Sequence, residues 1–537
     1  MTADHPEDTI RAHWKCFVAC GLIILSPFQY GVDFGLIGGL QAMPGFLMIF
    51  GYRAPNTALG WNLDTTRQQI ISSFMTLGAF ISSGGAGFAA IKLGRKQCLW
   101  LACALCCVSN ILMMATENIG ALYTGRLLIG LANGFFMTFS QLYIQESSPA
   151  KYRGLFLTIF QFCTSFGTLV GTIIDWATAK RMDKSAYLIP LGIIYVVPCI
   201  LTVALFFIPE SPRWLVLQGR LEDAHRSLSW LRPPTAPIDD EVAEIKAAID
   251  KERELGSNVG VLDMFRTKTD RRRTALSVCV VTLQAASGSM FIIAYKAYFF
   301  GMAKVTDPFA MTNVLSTVGI VAILINSLIV VRYGRRRVIM TIGLVTCGIL
   351  QLIIAITYDK NPGAKVTGQV LVGLSSLYLA SYNCSKFMRR SDLTFIFLPQ
   401  GMIASYAWLA GGEIPSQRLR SYTFGLAAAS GFFFAWLTTF TAPYFINPQS
   451  LNWGPRYGYI WTPSCAIAAL WVFFFLPETK GRTLEEIDEM FEAGVPARKF
   501  RTYVCVRGVP TADPKGAVRK SMDEEGDVEK VNVEHSK

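Results

Sequence analysis

The sequence predicts an all-α membrane protein in which twelve transmembrane helices form two pseudo-symmetric bundles of six. Three observations predict this fold. Of the 537 residues, 52% are hydrophobic and only 16% are charged, too few charges for the surfaces of several soluble domains. Apolar runs of about 20 residues, the length that crosses a hydrocarbon core of about 30 Å, recur along the chain. Motifs of the first half also return in the second.

The apolar runs predict the positions of the twelve spans. They are residues 14–37, 67–90, 98–116, 120–142, 155–176, 186–208, 274–300, 310–331, 338–358, 366–384 joined to 401–411, 421–441 and 457–476. The net charge is +12, and the basic residues collect in every second connection between spans. Because cationic connections are retained on the cytoplasmic side, we expect both termini to be cytoplasmic. We also expect the membrane to be the plasma membrane.

Polar segments divide the chain into five regions. We expect a cytoplasmic N-terminus, a first six-helix bundle, a cytoplasmic loop with short helices, a second six-helix bundle and a cytoplasmic tail. These regions are residues 1–13, 14–208, 209–273, 274–476 and 477–537. No cleavable signal peptide is expected, because the polar N-terminus is followed by an apolar run long enough to span the membrane.

Three pairs of motifs relate the two halves. KLGRK, QESSPAKYRG and PESPRW return as RYGRRR, GEIPSQRLRS and PETKGR. Such a duplication predicts a pseudo-two-fold axis along the membrane normal and a substrate cavity between the halves. The offset between the copies is 240 residues at Gly94 and Gly334 but 267 at Glu146 and Glu413. Extra residues therefore lie between the eighth span and Glu413.

The segment 385–400, SKFMRRSDLTFIFLPQ, accounts for the extra length. Without it the tenth span is one continuous helix. With it, four charged side chains enter a spanning helix, each at a cost of about 2.5–3.5 kcal/mol. Our hypothesis is that the segment is a translated intron or splice variant, absent from the working protein. The alternative is a genuine loop extruded from a broken helix.

The longest motifs resemble the sugar porter family of the major facilitator superfamily. The strings are GRLLIGLANG…QLYIQESSPAKYRG (125–154), PESPRWL (209–215) and PETKGRTLEEIDEMF (477–491), in order and at helix boundaries. The strings at 288–300, 413–423 and 442–454 look more like the fungal α-glucoside and oligosaccharide branch than the hexose branch. The resemblance covers residues 20–492 and implies a facilitator fold and sugar transport.

Asp33 lies within the first apolar span and Arg126 within the fourth. Because burial of charge in a membrane is costly, such residues are functional by default. In proton-coupled sugar porters an acid in the first helix and an arginine in the fourth form the coupling pair. The resemblance therefore implies that Asp33 loads and releases the proton and that Arg126 tunes it. The alternative is a static ion pair in a facilitator that couples nothing.

The resemblance also implies a sugar site formed by Gln161, Gln284 and Trp408. The amides would pair with sugar hydroxyl groups, and the indole would stack on the sugar ring. Several positions depart from the family, with the loss of a glutamine, two asparagines and a proline; they are Ala285, Met290, Gly319 and Gln141. The loss of polar groups favours a larger or less polar ligand, such as a disaccharide, a glycoside or a sugar-like metabolite.

Charged residues of the repeated motifs are expected to form a cytoplasmic gate, in which ion pairs at helix ends break when the inner side opens. The expected pairs are Glu146 with Arg153, Glu413 with Arg418 or Arg420, Glu210 with Arg213, and Glu478 with Lys480 and Arg482; Arg95 and Arg335 complete the gate. The acid that the family carries after the second span is missing, with Ile91 and Val331 in the two equivalent places. The alternative is that these charges only solvate helix ends.

We expect a secondary active transporter of a hexose or an α-glucoside that works by proton symport and alternating access. Its expected partners are the sugar, the proton and the lipid bilayer. No nucleic acid is expected, because the basic residues share no single face. No cofactor, metal or enzymatic activity is expected, because the chain has no Walker loop, nucleotide fold or nucleophile elbow. The alternatives are an exporter of a sugar-like or secondary metabolite and a non-transporting sugar sensor.

Overall fold

A computed structural model describes the protein over most of its length. The described residues are 11–55, 60–115, 117–256, 261–302, 305, 307–333, 336–362, 365–383, 403–416, 419–479, 482, 484–503 and 505. The chain forms two compact units, one ending at Leu476 and the other beginning at Pro477. The suspected insertion at 385–400 lies outside the described residues.

The first six spans are built from long helices and one small hairpin. The elements are α1 (Trp14–Ile23), α2 (Leu25–Leu40), α3 (Pro44–Phe50), β1 (Tyr52–Arg53), β2 (Trp61–Asn62), α4 (Thr65–Lys92), α5 (Gly94–Ala115), α6 (Ile119–Ser147), α7 (Ala150–Thr178), α8 (Ser185–Ile193) and α9 (Val196–Phe207). The two strands pair antiparallel. We call this part, through α9, the first half.

The remaining helices form the loop between the halves, the second half and the tail. They are α10 (Pro212–Leu217), α11 (Leu221–Leu231), α12 (Ile238–Gly256), α13 (Lys268–Ala286), α14 (Ser289–Met302), α15 (Pro308–Tyr333), α16 (Arg336–Lys360), α17 (Lys365–Asn383), α18 (Ile403–Glu413), α19 (Arg420–Ile446), α20 (Gly458–Phe475) and α21 (Leu484–Glu492). The second half comprises α13 to α20.

The predicted all-α class with two six-helix bundles is confirmed. Within the described residues, nine helical spans are long and apolar enough to cross a membrane. The first, sixth and seventh spans each consist of two helices, α1 with α2, α8 with α9 and α13 with α14, where the sequence suggested continuous segments. In the sixth span Pro198 has no N–H to donate to the carbonyl of Ile194, which explains the interruption there.

The bundle has two ends that differ in structure. At one end lie α10 to α12 and the connections at residues 92–95 and 148–150; we call it the basic face. At the other end lie α3, the strands β1 and β2 and residues 447–457; we call it the hairpin face. At the hairpin face Asp64 Oδ2 accepts from the Thr66 N–H at 3.1 Å and so caps the start of α4.

Glycines allow two helices of the first half to pack with their backbones in contact. Gly31 of α2 faces α7, where a β-carbon on Gly31 would fall 2.0 Å from the Thr164 carbonyl oxygen. Gly167 of α7 faces α2, where a β-carbon would fall 2.1 Å from the Phe28 carbonyl oxygen. This close packing fixes the depth of α2, and therefore of Asp33, relative to α7.

Candidate functional site

The Asp33 carboxylate lies in the interior of the first half, with no exposed surface. The Gln29 side-chain amide, one turn earlier on α2, donates to Asp33 Oδ1 at 3.0 Å. The Asn133 amide of α6 donates to Asp33 Oδ2 at 2.8 Å. Each carboxylate oxygen therefore has a neutral donor, and these two bonds stabilise the charged form of Asp33 inside the membrane.

Arg126 lies on the same helix as Asn133 and is 2% exposed. Its Nε donates to the Ile71 carbonyl at 3.4 Å, and its Nη2 contacts Met75 Sδ at 3.3 Å, both on α4. Its charge acts on the Asp33 carboxylate. In the described part of the chain no direct ion pair joins the two residues. Asp33 and Arg126, the predicted coupling pair, are therefore neighbours. The residue of α6 that contacts the Asp33 carboxylate directly is Asn133.

The seventh span is broken at Gly288, which has a φ of +79°. Such a break leaves backbone carbonyls without helical partners, and inside a membrane they need other donors. The Ser287 carbonyl accepts from the Tyr378 hydroxyl at 2.8 Å, and the Ala286 carbonyl accepts from Ser464 Oγ at 2.7 Å. Neighbouring helices therefore hold the break in place.

Gln284 and Trp408 lie in contact near this break. Trp408 Nε1 donates to Gln284 Oε1 at 3.0 Å, which joins α18 to α13. The Trp408 ring packs against Phe424, with ring centroids 6.1 Å apart. The Tyr382 hydroxyl lies beside Gln284 and Ser289, and among the described residues no hydrogen bond of full geometry joins it to either. The Gln284 amide, the Trp408 indole and the Tyr382 hydroxyl can together bind a polar ligand that has an apolar face.

Gln161, the third predicted sugar-binding residue, lies on α7 of the first half and is half-buried. Gln284 and Trp408 belong to the second half. A ligand that contacts all three would therefore lie between the halves, which is where the duplication predicts a cavity.

At the basic face, Glu146 is bound by Arg95. Arg95 Nε and Nη2 donate to the two Glu146 oxygens at 2.8 and 2.6 Å, and both side chains are less than 10% exposed. Ser211 Oγ also donates to Glu146 Oε2 at 2.5 Å. A two-pronged arginine–carboxylate pair is among the stronger ion pairs in proteins. It links α5 and α6 of the first half, and Ser211 joins the segment after α9 to the same carboxylate.

Glu210 caps the start of α5. Its carboxylate accepts from the backbone N–H groups of Arg95, Lys96 and Ser211 at 3.2, 3.0 and 2.8 Å. Burial raises the pKa of the Glu210 carboxyl, and the three N–H bonds partly offset that rise. The positive end of the helix dipole favours a carboxylate in this position.

The structure describes the other expected gate residues only in part. Arg335, Arg418 and Lys480 lie outside the described residues, as do the side chains of Ile91, Arg153, Val331 and Arg420. Arg213 lies at the start of α10 and Glu413 at the end of α18. Glu478 and Arg482 belong to the unit that begins at Pro477, where Arg482 pairs with Glu486 at 3.2 Å and donates to the Tyr503 carbonyl at 2.7 Å. A gating role for these residues stays a prediction.

Hydrogen bonds join the two halves at the hairpin face, around Asn447. Its amide nitrogen donates to the Leu63 carbonyl and to Gln68 Oε1, both at 2.9 Å. Its amide oxygen accepts from Asn62 Nδ2 at 3.2 Å, and Asn62 Oδ1 accepts from the Tyr298 hydroxyl at 3.2 Å. We call these five residues the hairpin-face network. Asn447 lies within APYFINPQSLNWG, and nothing in that string predicted a contact between the halves.

The family described as sugar (and other) transporter matches residues 18–389 and 390–491, and the two matched pieces meet inside the segment 385–400. The alpha-glucosides permease MPH3 of Saccharomyces cerevisiae is 29% identical over 534 residues, which cover 96% of this chain and 84% of that one. The high glucose sensor RGT2 of the same species is 30% identical over 491 residues, 88% of this chain. The chain spans only 60% of the length of that sensor.

Solved structures of the xylose transporter XylE from E. coli share the fold. The inward-open form superposes with a TM-score of 0.68 and 19% identity, covering 88% of this chain and 99% of that one. A form described as the proton:xylose symporter bound to 6-bromo-6-deoxy-D-glucose superposes with a TM-score of 0.67 and 20% identity. The match covers 89% of this chain and 100% of that one. The fold is therefore that of the major facilitator superfamily. The family match extends over nearly all of the membrane-spanning part, and the chain belongs to the sugar transporter family of that superfamily.

Proposed function

We propose that the protein is a proton-coupled sugar transporter that carries a hexose or an α-glucoside by alternating access between its two halves. The observation that carries this proposal is the Asp33 carboxylate. It is fully buried in a spanning helix, hydrogen-bonded by two amides and close to the buried Arg126. We also propose that the basic face is cytoplasmic and that the membrane is the plasma membrane.

Asp33 suits proton coupling because opposing effects act on its carboxylate. Exclusion from water favours the neutral form, whereas the Gln29 and Asn133 amides and the Arg126 charge favour the ionised form. A movement of α2 relative to α6 would change the distance between the carboxylate and these groups. Proton affinity would then differ between the two open states, which is what symport requires.

Three observations support a sugar as the cargo. Gln284, Trp408 and the Tyr382 hydroxyl lie close together near the break in the seventh span. MPH3 is named as an alpha-glucosides permease, and XylE as a proton:xylose symporter. The family itself is described as transporting sugars and other compounds.

The test is uptake of labelled glucose and maltose into proteoliposomes, with and without an inward proton gradient. The wild-type protein is expected to accumulate one of the sugars only with the gradient. Asp33→Asn is expected to abolish accumulation while sugar exchange at equal concentrations continues, because the amide keeps the site's shape but cannot release a proton. Glu117→Gln is the matched control, since Glu117 is exposed and pairs with Lys184 at the hairpin face. Undiminished accumulation by Asp33→Asn would contradict proton coupling through this residue.

A sensor is the second candidate, because the high glucose sensor RGT2 is 30% identical to this chain over 491 residues. A sensor binds sugar without moving it. Sugar binding by the purified protein, combined with no exchange in proteoliposomes, would favour the sensor. Efflux from preloaded vesicles that is faster than uptake would favour the other alternative, an exporter of a sugar-like or secondary metabolite.

A further inference from the structure

We propose that Asp175 and Lys296 form a charge lock between the two halves, which holds the hairpin face closed and separates when that face opens. The inference rests on the alternating-access transport proposed above. Neither residue has a part in the proton or sugar sites described so far.

The two residues lie on helices of different halves. Asp175 is on α7 of the first half, three residues before the helix ends at Thr178, or about 4.5 Å from that end. Lys296 is on α14 of the second half. Asp175 is 1% exposed and Lys296 is 4% exposed. Two opposite charges are therefore buried at the boundary between the halves, close to the hairpin face.

The contacts of each charge to neutral groups stay within its own half. Lys296 Nζ donates to Ser316 Oγ of α15 at 2.6 Å. The Asp175 carboxylate lies against Gly39 of α2, where a β-carbon would fall 1.9 Å from Oδ2. Among the described residues, no group donates to either oxygen of Asp175 with full hydrogen-bond geometry. Gly38, next to Gly39 on α2, faces α14, where a β-carbon would fall 2.7 Å from the carbonyl oxygen of Ala294, two residues before Lys296. The two charged residues therefore approach each other from opposite sides of the boundary.

This arrangement makes the closed face depend on both charges together. A buried carboxylate with no hydrogen bonds, or a buried ammonium alone, is strongly unfavourable inside a membrane, and each offsets the cost of the other. When the hairpin face opens, water can reach both groups, so the lost attraction is replaced by hydration. Removal of one charge leaves the other buried and unpaired, which favours the open face.

The hairpin-face network supports this position for the lock. Tyr298, two residues after Lys296 on α14, donates to Asn62 of the first half. The same helix therefore carries a neutral contact and a charged contact to the opposite half, and both must break together.

The test measures the distance across the hairpin face by pulsed electron paramagnetic resonance. Nitroxides are attached through azidophenylalanine at Met182 and Leu451, which are 67% and 42% exposed and belong to different halves. This chemistry avoids the thirteen cysteines. We expect Asp175→Asn and Lys296→Met each to raise the ratio of long to short distances at least tenfold. The double variant should raise it less than threefold, because no unpaired charge remains.

Thr178→Val is the matched control, since Thr178 lies one turn from Asp175 and, among the described residues, its hydroxyl bonds to the carbonyls of Ile174 and Asp175 on its own helix. It is expected to leave the distances unchanged. The charge-reversed pair, Asp175→Lys with Lys296→Asp, should restore most of the short distance. Each variant is first shown to be monodisperse. The lock would be overturned if the double variant changed the ratio of long to short distances by the combined effect of the two single variants. Because the distances need no transported sugar, failure of the proposed function would be seen separately, in the uptake assay.

Discussion

At the scale of single residues, the contact between Trp408 and Gln284 is the most specific feature of the proposed sugar site. Trp408 donates one hydrogen bond to the Gln284 amide oxygen and also presents an aromatic face. Trp408→Phe removes the donor and keeps the face. We expect the free energy of sugar binding to weaken by about 1 kcal/mol, the typical net contribution of one hydrogen bond. This loss corresponds to a roughly fivefold higher KM for the sugar. Trp408→Ala, which loses both, should raise KM further. Initial uptake rates over a range of sugar concentrations measure both values.

Trp436→Phe is the control for this experiment. Trp436 is also an aromatic residue of the second half, but its Nε1 has no partner among the described residues. The change should therefore alter KM less than twofold. Equal effects of the two Trp→Phe changes would show that the Trp408 hydrogen bond does not organise the site.

Residues of the proton site differed in how well the sequence revealed them. Asp33 and Arg126 were found because a charge in an apolar span is easily seen. Asn133 was missed, because one neutral amide in a span is more often a helix–helix contact. A signal was present: Asn133 follows Arg126 by seven residues, which is two helical turns and therefore the same face of α6. Asp175 and Lys296 carry charges in or beside apolar runs, yet their proximity depends on how the two halves pack, which the sequence does not display.

At the scale of elements, the break between α13 and α14 depends on Gly288. A side chain there would have to adopt a φ of +79°, and its β-carbon would fall 2.6 Å from the Trp461 ring. Gly288→Ala is therefore expected to destabilise the protein by at least about 1–2 kcal/mol from the backbone alone. The measurement is the temperature at which detergent-solubilised protein loses its monodisperse peak, and this temperature should fall.

Gly373→Ala provides the comparison. Gly373 lies within α17, and a β-carbon on it would meet nothing within 4 Å. Alanine is preferred over glycine inside a helix by about 1 kcal/mol, so this variant should be as stable as wild type or more so. A Gly288→Ala protein as stable as Gly373→Ala would mean that the break can shift along the helix.

The segment 385–400 falls within the predicted tenth span, and its deletion is expected to improve folding. Helix α17 ends at Asn383 and α18 begins at Ile403, so deletion of the segment leaves three residues between them. The joined sequence has no charge in the span, whereas Lys386, Arg389, Arg390 and Asp392 each cost about 2.5–3.5 kcal/mol there. We expect the deleted form to give more folded protein and faster sugar uptake than the intact chain.

A deletion of equal length at residues 522–537 controls for the loss of sixteen residues, because it removes polar tail and no span. It should match the intact chain in yield and in uptake. If the intact chain carries sugar as fast as the form without 385–400, the segment belongs to the working transporter, and the extruded loop is the correct interpretation.

Elements were predicted well where composition alone decides them and poorly where local packing decides. Apolar length was enough to find the spans, because a membrane requires about 20 apolar residues whatever their order. The breaks within the first and seventh spans were missed. At Gly288, for example, the break is held by hydroxyls from Tyr378 and Ser464, which are distant in the sequence.

At the scale of the whole molecule, the halves are joined by hydrogen bonds at the hairpin face, and the Arg95–Glu146 pair at the basic face stays within one half. The repeated motifs predicted the two halves and the boundary between them. They could not predict which face is closed, because the same residues must serve every state of the transport cycle. Of the gate expected from these motifs, the Arg95–Glu146 pair lies wholly within the first half.

The hairpin-face network predicts the effect of a change at Asn447. All four hydrogen-bonding positions of its buried amide are used, to Leu63, Gln68, Asn62 and the backbone N–H of Gln449. Asn447→Ala leaves the Leu63 carbonyl and the Gln68 amide without this partner, at a cost of about 1–3 kcal/mol to the closed face. We expect hydrogen exchange in peptides covering residues 61–75 and 440–455 to speed up at least fivefold.

Hydrogen exchange in the rest of the molecule distinguishes opening of the hairpin face from general destabilisation. An opening at one face exposes only the backbone near it, whereas general destabilisation speeds exchange in all helices. Peptides from α5 and α16 should therefore keep their wild-type rates in Asn447→Ala. Thr438→Val, on α19, should change nothing, because among the described residues the Thr438 hydroxyl donates to the Phe434 carbonyl of its own helix. Uniformly faster exchange would make Asn447 a residue of general stability, and the closed hairpin face would then have to depend on other contacts, foremost the charges of Asp175 and Lys296.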